Sequence, residues 1–339
     1  MPDRITSVDV AKRAGVSQSA VSRVFTPGAS ASPKTAERVR KAAEELGYRP
    51  NVLARSLITG RSRIIGLVVA YLDNYFYPDA LEKLSTALQE QGYHVLVFMA
   101  SQTAGNIDDV LEEILDYQVD GLVMASVAMS SDLAARCHDA GIPVVLFNRA
   151  QDDPRLSSVT TDNVDGGYQI ARFLAAAGHR RIAYIAGWEG ASTQRDREAG
   201  FRRGLAACGL ELHAREVGDF HMDRAQVATR RLFDRADPPD AVFVANDHMA
   251  IAAMGVLRFE LGLSVPDDVS VIGFDDVPPA AWPAYDLTTF RQRANMMVDE
   301  AVSTLIKTID QRRLVPRQVT IAGKLILRGS ARRPDGWTT

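Results

Sequence analysis

Residues 6–25, TSVDVAKRAGVSQSAVSRVF, write out two short capped helices joined at a glycine, the build of a DNA-reading helix-turn-helix. Thr6 is a good N-cap, Asp9 stands at N3 where a carboxylate favours the positive helix end, and Ile5 and Val10 occupy the staple positions. The first helix is therefore expected from about Ser7. Gly15 supplies the left-handed residue that ends it, and Ser17 caps the next helix with Val16 and Val21 as a second staple. On that second helix Ala20, Val21 and Val24 form an inward apolar stripe. Gln18, Ser19, Ser22 and Arg23 then face outward, where they can reach a groove; a face that is merely solvated is the plain alternative.

A third helix follows, with Ser32 as N-cap, Pro33 at N1, Ala36, Val39, Ala42 and Leu46 at helical spacing, and Gly47 as its stop. Charge agrees with a nucleic-acid partner. Residues 1–63 carry 12 Lys/Arg against 5 Asp/Glu, a net of +7, so a total of −3 leaves −10 on the remaining 276 residues. Phosphate attraction acts locally, within a Debye length of roughly 8 to 10 Å, so the acidic remainder does not cancel it. Residues 51–60, between Asn51 as a cap and Gly60 as a stop, read as a helix too short to be stable alone. Leu53 and Leu57 lie one turn apart beside Arg55, which suits a minor-groove wedge; an ordinary linker fits equally well.

From Ile64 onward short apolar runs alternate with amphipathic stretches, the pattern of parallel βαβ units. Buried strands are expected at 64–70, 94–99, 121–125, 143–147, 182–186, 241–245 and 270–274. Helices are expected at 80–91, 106–117, 131–140, 164–177, 195–208, 223–235 and 248–261. Two doubly wound sheets follow. Cys137 and Cys208 have neither metal-site nor redox-pair spacing and read as packing residues in a reducing compartment. Neither a signal-peptide core nor a spanning apolar run is present in this sequence, and the expected location is the cytoplasm. Phosphate-loop, dinucleotide, zinc-protease and serine-elbow motifs are missing, so no enzyme activity, cofactor or metal is expected.

In open α/β sheets ligands bind beyond the carboxyl ends of the strands, and this chain repeatedly places polar and aromatic residues there. The candidates are Tyr75 and Phe76, Asn148 and Arg149, and Asp162 in the first half, with Arg197, Phe220, Asn246, Asp275 and Trp282 in the second. Aromatic faces with carboxylate, guanidinium and amide groups suit a polyhydroxylated ligand. Asp247 reads as the cap of a helix starting at His248, leaving Asn246 free to point into the cleft. Asp162 is a possible cap, and Arg197 a possible surface ion-pair partner of Asp196 or Glu198.

The ordered motifs VDVAKRAGVS, AVSRV, LGYRPN, ARSL, IIGLVV, VAND and GFDD identify the chain as resembling the lac repressor/gal repressor family of bacterial transcription regulators over nearly its whole length. The resemblance implies a helix-turn-helix domain at 1–49, a hinge helix and linker at 50–63, and a periplasmic-binding-protein-like core at 64–339. Its lobes would be about 64–162 with 291–322, and about 163–290 with 323–330. It also implies a homodimer on a palindromic DNA operator, Leu57 wedged into the central minor groove, and a small effector, a sugar or sugar derivative, between the lobes. In QRDREAGF the second arginine, Arg197, matches the family's effector position, as do Asn246 and Asp275; Phe220 matches a stacking aromatic. On the DNA side Gln18, Ser19 and Arg23 are expected to read bases. Thr6, Ser17, Ser32, Tyr48, Asn51 and Ala54 complete the expected DNA contacts. No C-terminal leucine heptad is visible at 327–334, which favours a dimer over a tetramer. A repressor is the expected regulator; an effector-dependent activator and a solute-binding protein are the alternatives.

Overall fold

Thr6 begins the first helix of the computed structural model by hydrogen bonding within its own first turn. Its backbone N–H and its hydroxyl both donate to Asp9 Oδ2, at 2.9 and 2.7 Å. The structure describes residues 5–25, 29–49, 61–100, 110, 114, 116–127, 130–311 and 315–337. The chain divides into two units, Met1–Arg63 and Ile64–Thr339. In the first, α1 (Ser7–Ala14), α2 (Gln18–Val24) and α3 (Pro33–Leu46) surround a core of Val10, Ala11, Ala14, Val21, Val39, Ala42 and Ala43. Gly15 has φ 61°, the left-handed value that ends α1, and the caps Ser17 and Ser32 each accept a backbone N–H at 3.2 Å. Ala20 and Val24 are half-buried beside the buried Val21. The expected hinge helix, with Asn51, Ala54 and Leu57, lies outside the described residues.

The second unit holds two six-stranded sheets. In chain order its elements are β1 (Ile64–Val69), α4 (Phe76–Glu90), β2 (His94–Met99), β3 (Gly121–Ala125), α5 (Ser131–Asp139), β4 (Val144–Phe147) and β5 (Ser157–Thr161). Next come α6 (Asn163–Ala176), β6 (Ile182–Ala186), α7 (Ser192–Ala207), β7 (Ala214–Val217), α8 (Met222–Phe233), β8 (Ala241–Val244), α9 (Asp247–Gly255) and β9 (Ser270–Asp275). The chain closes with β10 (Thr288–Arg291), α10 (Ala294–Gln311), β11 (Gln318–Ile321) and β12 (Lys324–Ile326). The first sheet runs β11-β5-β4-β3-β1-β2 and the second β12-β10-β9-β8-β6-β7, parallel throughout except for β12 against β10. The chain passes between the sheets after β5, after β10 and after β11. At the strand ends beside these passages Thr161 pairs with Ile321 and Arg291 with Asp275.

The seven expected apolar strands form, but β2 is corrected. It is an edge strand, not a buried one, with Val97 and Met99 each about half exposed (51% and 52%). The expected helix at 106–117 falls largely outside the described residues. Helix α10 has no counterpart in the sequence reading, although Met297, Val298, Ala301, Val302, Leu305 and Ile309 follow helical spacing and are buried against the first sheet and α4. Strands β5, β7, β10, β11 and β12 also lacked a signal, because SSVTT, AREV, TTFR and QVTI are not apolar runs. Helices α6 and α7 pack unusually close. A Cβ on Gly167 would stand 2.1 Å from the Arg197 carbonyl oxygen, and one on Gly200 would stand 1.9 Å from that of Val164. Only glycine permits this approach, and it brings Arg197 against the start of α6.

Candidate functional site

On the first unit, Gln18, Ser19 and Arg23 are exposed along α2, while Ser22 is half-buried and not fully outward as expected. Gln18 Nε2 donates to Ser7 Oγ at 3.0 Å, and Arg23 Nε to the Ser19 carbonyl at 3.4 Å. Thr6, Ser17 and Ser32 remain exposed at helix N-termini, where backbone N–H groups and the dipole suit a phosphate oxygen. Tyr48 is half-buried, its ring 6.0 Å from that of Phe25. α2 therefore presents a short polar face on a core-anchored helix, carrying bidentate and single-point hydrogen-bonding groups.

On the second unit, Arg197 is not a surface residue. Its exposure is 2%; Nε donates to Asn163 Oδ1 at 2.9 Å, Nη1 to the Ala245 carbonyl at 2.5 Å, and Nη2 reaches Asp275 Oδ1 at 3.5 Å. The guanidinium also stands 3.7 Å above the Phe274 ring. Glu198, the alternative partner, pairs with Arg202 and Arg215. Asp275 Oδ1 further accepts from Gln292 Nε2 at 2.6 Å, and Gln292 Oε1 accepts from Thr161 Oγ1 at 2.7 Å, so the network joins the ends of β9 and β5 through a residue between β10 and α10. Asn74, after β1, hydrogen bonds to Asp275 as well.

In VAND the cap falls one residue earlier than expected. Asn246 is the N-cap of α9, its Oδ1 accepting from Met249 N at 3.0 Å, and Asp247 is the first helical residue. Asp247 is fully buried, and its carboxylate accepts from Thr289 Oγ1 at 2.6 Å and Val277 N at 2.9 Å. The residue at the cap position is the one whose backbone is still extended, and that residue is Asn246. Burial pushes Asp247 up to about 7, with the charge of Asp275 adding to it; burial also pushes Asp275 up to about 6, against the pull of Arg197. Asp162 does act as the cap of α6, accepting from Asp165 N at 2.8 Å.

Asn148 and Arg149, at the end of β4, are 5% and 3% exposed. Asn148 Nδ2 meets Tyr77 Oη at 3.5 Å; Arg149 Nη2 donates to Ser126 Oγ at 3.0 Å, and its guanidinium lies 5.3 Å from the Trp188 ring. Ala150 N donates to Ser192 Oγ at 2.9 Å, bringing this loop to the start of α7. Phe220 is buried with φ 63°. Tyr75, Phe76 and Asp275 line a cavity of about 530 Å³ together with Lys83, Arg291 and Gln292. Trp282 is half exposed and stacks with Tyr285 at 6.4 Å. It lines a separate cavity of about 420 Å³ with Tyr75, His221 and His248, and is not brought to the Arg197 network.

Asn163, Gln292, Asn74 and Ser192 escaped the sequence reading, since each is an ordinary amide or hydroxyl until the fold collects them. Backbone strain marks the same region. Ser126, Asn148, Asp219, Phe220, Asp275 and Asp276 all have positive φ, and all lie at or just after the carboxyl ends of strands. Hydrogen-bonding groups from both sheets thus converge beyond the carboxyl ends of the strands, the position at which α/β sheets bind small molecules.

Comparison with known proteins agrees with both halves. The HTH-type transcriptional regulator CelR of Thermobifida fusca is 36% identical over 331 residues, 95% of this chain and 96% of that protein. The chain belongs to the lacI family of bacterial regulatory proteins. The model of that family matches residues 6–51, and a periplasmic binding protein-like domain matches 171–331. The regulator AscG of Escherichia coli is 32% identical over 97% of this chain and 99% of its own. Among solved structures, the lac repressor dimer bound to operator and the anti-inducer ONPF aligns with TM-score 0.87 at 27% identity, covering 97% of this chain and 99% of the other. A CelR–cellobiose complex aligns with TM-score 0.73 at 32% identity, covering 96% and 100%. The family's activity is transcriptional regulation through DNA binding, and that is the activity of this chain. Among the described residues no helix is long and apolar enough to cross a membrane.

Proposed function

We propose that the protein is a homodimeric repressor that binds a palindromic operator through paired α2 helices and is switched by a small polyhydroxylated effector in the cleft. The observation that carries the effector half is the Arg197–Asp275–Gln292 network. It is buried, charged, strained at Asp275 (φ 124°), and tied to both sheets, so a ligand hydroxyl exchanging with any of its bonds alters the contact between them. Arg197, Asp275, Asn246 and Phe220 from the second sheet's loops, with Asn148, Arg149, Asp162, Tyr75 and Phe76 from the first, are the effector groups of this reading. Gln18, Ser19 and Arg23 read bases, Thr6, Ser17, Tyr48 and Asn51 set phosphates, Leu57 enters the minor groove, and Ser32 and Ala54 complete the DNA contacts.

A second copy of the chain is supported by the exposed apolar residues Leu72, Val97, Met99, Met222 and Trp282, each between about a third and a half exposed. Trp282, half exposed and apart from the Arg197 network, is left out of the effector site in this reading. The test is a footprint on sites selected by the full-length protein, followed by titration of cellobiose, the sugar in the CelR complex, and other sugars against labelled operator. Dyad-symmetric protection that a sugar weakens supports the proposal; protection without dyad symmetry, or without any sugar response, counts against it.

A further inference from the structure

Two arginines are buried at the cleft, and they are not equivalent. Arg197 has a carboxylate, an amide oxygen and a backbone carbonyl around it. Arg149, 3% exposed, has Ser126 Oγ alone: its Nε and Nη1 are buried with no hydrogen-bond partner, and no ion pair to it occurs among the described residues. The groups around it are neutral. They are the hydroxyl of Ser126, the Trp188 face, and the phenols of Tyr71 and Tyr77. Burial lowers the Arg149 pKa, and burial also raises that of Tyr71, so the Tyr71 phenol supplies no counter-charge at neutral pH. Directly before it, Asn148 Oδ1 is a buried acceptor with no partner.

An unpaired buried cation is among the costliest features a fold can keep, and unsatisfied donors and acceptors side by side are rare outside functional sites. The three orphan atoms, two donors on a cation and one adjacent acceptor, describe the complement of a ligand. We infer that the effector carries a carboxylate taken by Arg149, with a neighbouring hydroxyl donated to Asn148 Oδ1: a sugar acid, uronic or aldonic, in place of a neutral sugar. A single unmatched positive charge suits a monoanion. The inference rests on the reading of the cleft as the effector site.

The test uses the full-length protein at constant ionic strength with paired probes: glucose and glucuronate, galactose and galacturonate, cellobiose and cellobionate, and glucose 6-phosphate. Melting temperature and release of labelled operator are read for each. At least one carboxylate is expected to raise the melting temperature and change operator affinity where its neutral partner does not. Arg149→Gln should weaken that acid by roughly 10- to 150-fold. The same variant without ligand should melt no lower than wild type, because it removes an unpaired charge; a marked fall would make Arg149 a structural residue and overturn the inference. Should Arg149→Gln fail to fold, Asn148→Asp decides: a carboxylate built in beside the guanidinium should abolish acid binding. Neutral sugars or glucose 6-phosphate acting as well as the acids overturn this inference and leave the cleft reading intact. Acids that move neither readout count against it, and if no probe of either kind acts, the cleft reading fails with it.

Discussion

Arg197 and Asp275 face each other at 3.5 Å with both side chains 3% exposed, joining the second turn of α7 to the end of β9. Each is held by further bonds, Arg197 to Asn163 and Ala245, Asp275 to Gln292. A buried pair of this kind is weak evidence for added stability, because desolvation offsets the attraction; truncating one member strands the other. Its value to a regulator is that its spare hydrogen-bonding capacity is positioned before the ligand arrives.

Arg197→Ala and Asp275→Ala should therefore each lower effector affinity by roughly 10- to 150-fold, the worth of a hydrogen bond to a charged group. The double variant should lose less than the product of the two, since both act through one network. Calorimetric titration of the four proteins with the sugar found to release the operator gives the coupling; strictly multiplicative losses would show that the residues act apart.

Asp247 and Asp275 both hold protons more tightly when folded than when unfolded. Between about pH 4, where a free aspartate ionises, and about pH 7, the folded chain keeps protons that the unfolded chain has released. The contribution of this pair to stability is thus greatest at low pH and falls as pH rises through that window. Urea midpoints measured from pH 5 to 8 should show the decline, and Asp247→Asn should flatten it. A slope unchanged in the variant would locate the effect elsewhere.

Gly167→Ala should destabilise the second unit by about 1–3 kcal/mol or more, because its Cβ would meet the backbone carbonyl of Arg197, which cannot swing aside. Pushing α7 away also displaces Arg197, so effector affinity should fall together with the denaturation midpoint. Gly209→Ala, where nothing lies within 4 Å of the added Cβ, serves as the comparison; its cost is confined to the left-handed φ of 71°.

At the DNA, Gln18→Ala should cost about 1–3 kcal/mol against the selected operator and relax base preference at one position in each half-site. Removing the Ser17 hydroxyl should instead weaken all sequences alike, after allowing for the lost helix cap. Binding-site selection with both variants separates the two behaviours.

Val97→Glu or Met99→Glu should dissociate the dimer by placing charge on the half-exposed face of β2 while leaving each chain folded. Sedimentation across a concentration series is the measurement. A dimer unaffected by both changes would move the interface elsewhere.

The helix-turn-helix was readable in the sequence because its determinants are local. Thr6, Gly15, Ser17, Ser32 and Gly47 act on backbone groups within a turn of themselves, so cap and stop positions followed from the order of residues alone. The buried strands β1, β3, β4, β6, β8 and β9 were readable for the same kind of reason, since a strand buried on both faces must be a continuous apolar run. What decided the remainder was distance in space. SSVTT and TTFR become strands only because β4, β11, β9 and β12 lie beside them, and α10 finds its place only against a sheet built more than a hundred residues earlier. Arg197 could be read as a surface ion-pair partner until Gly167 and Gly200 drew α7 onto α6 and buried it. Asn246 took the cap position expected of Asp247 because the first helical residue is fixed by where β8 turns, which adjacent residues in a sequence do not disclose. Local sequence fixes conformations whose partners are a few residues away; the candidate site, whose partners lie 131 residues apart in the Thr161–Gln292 bond, exists only once the chain has folded.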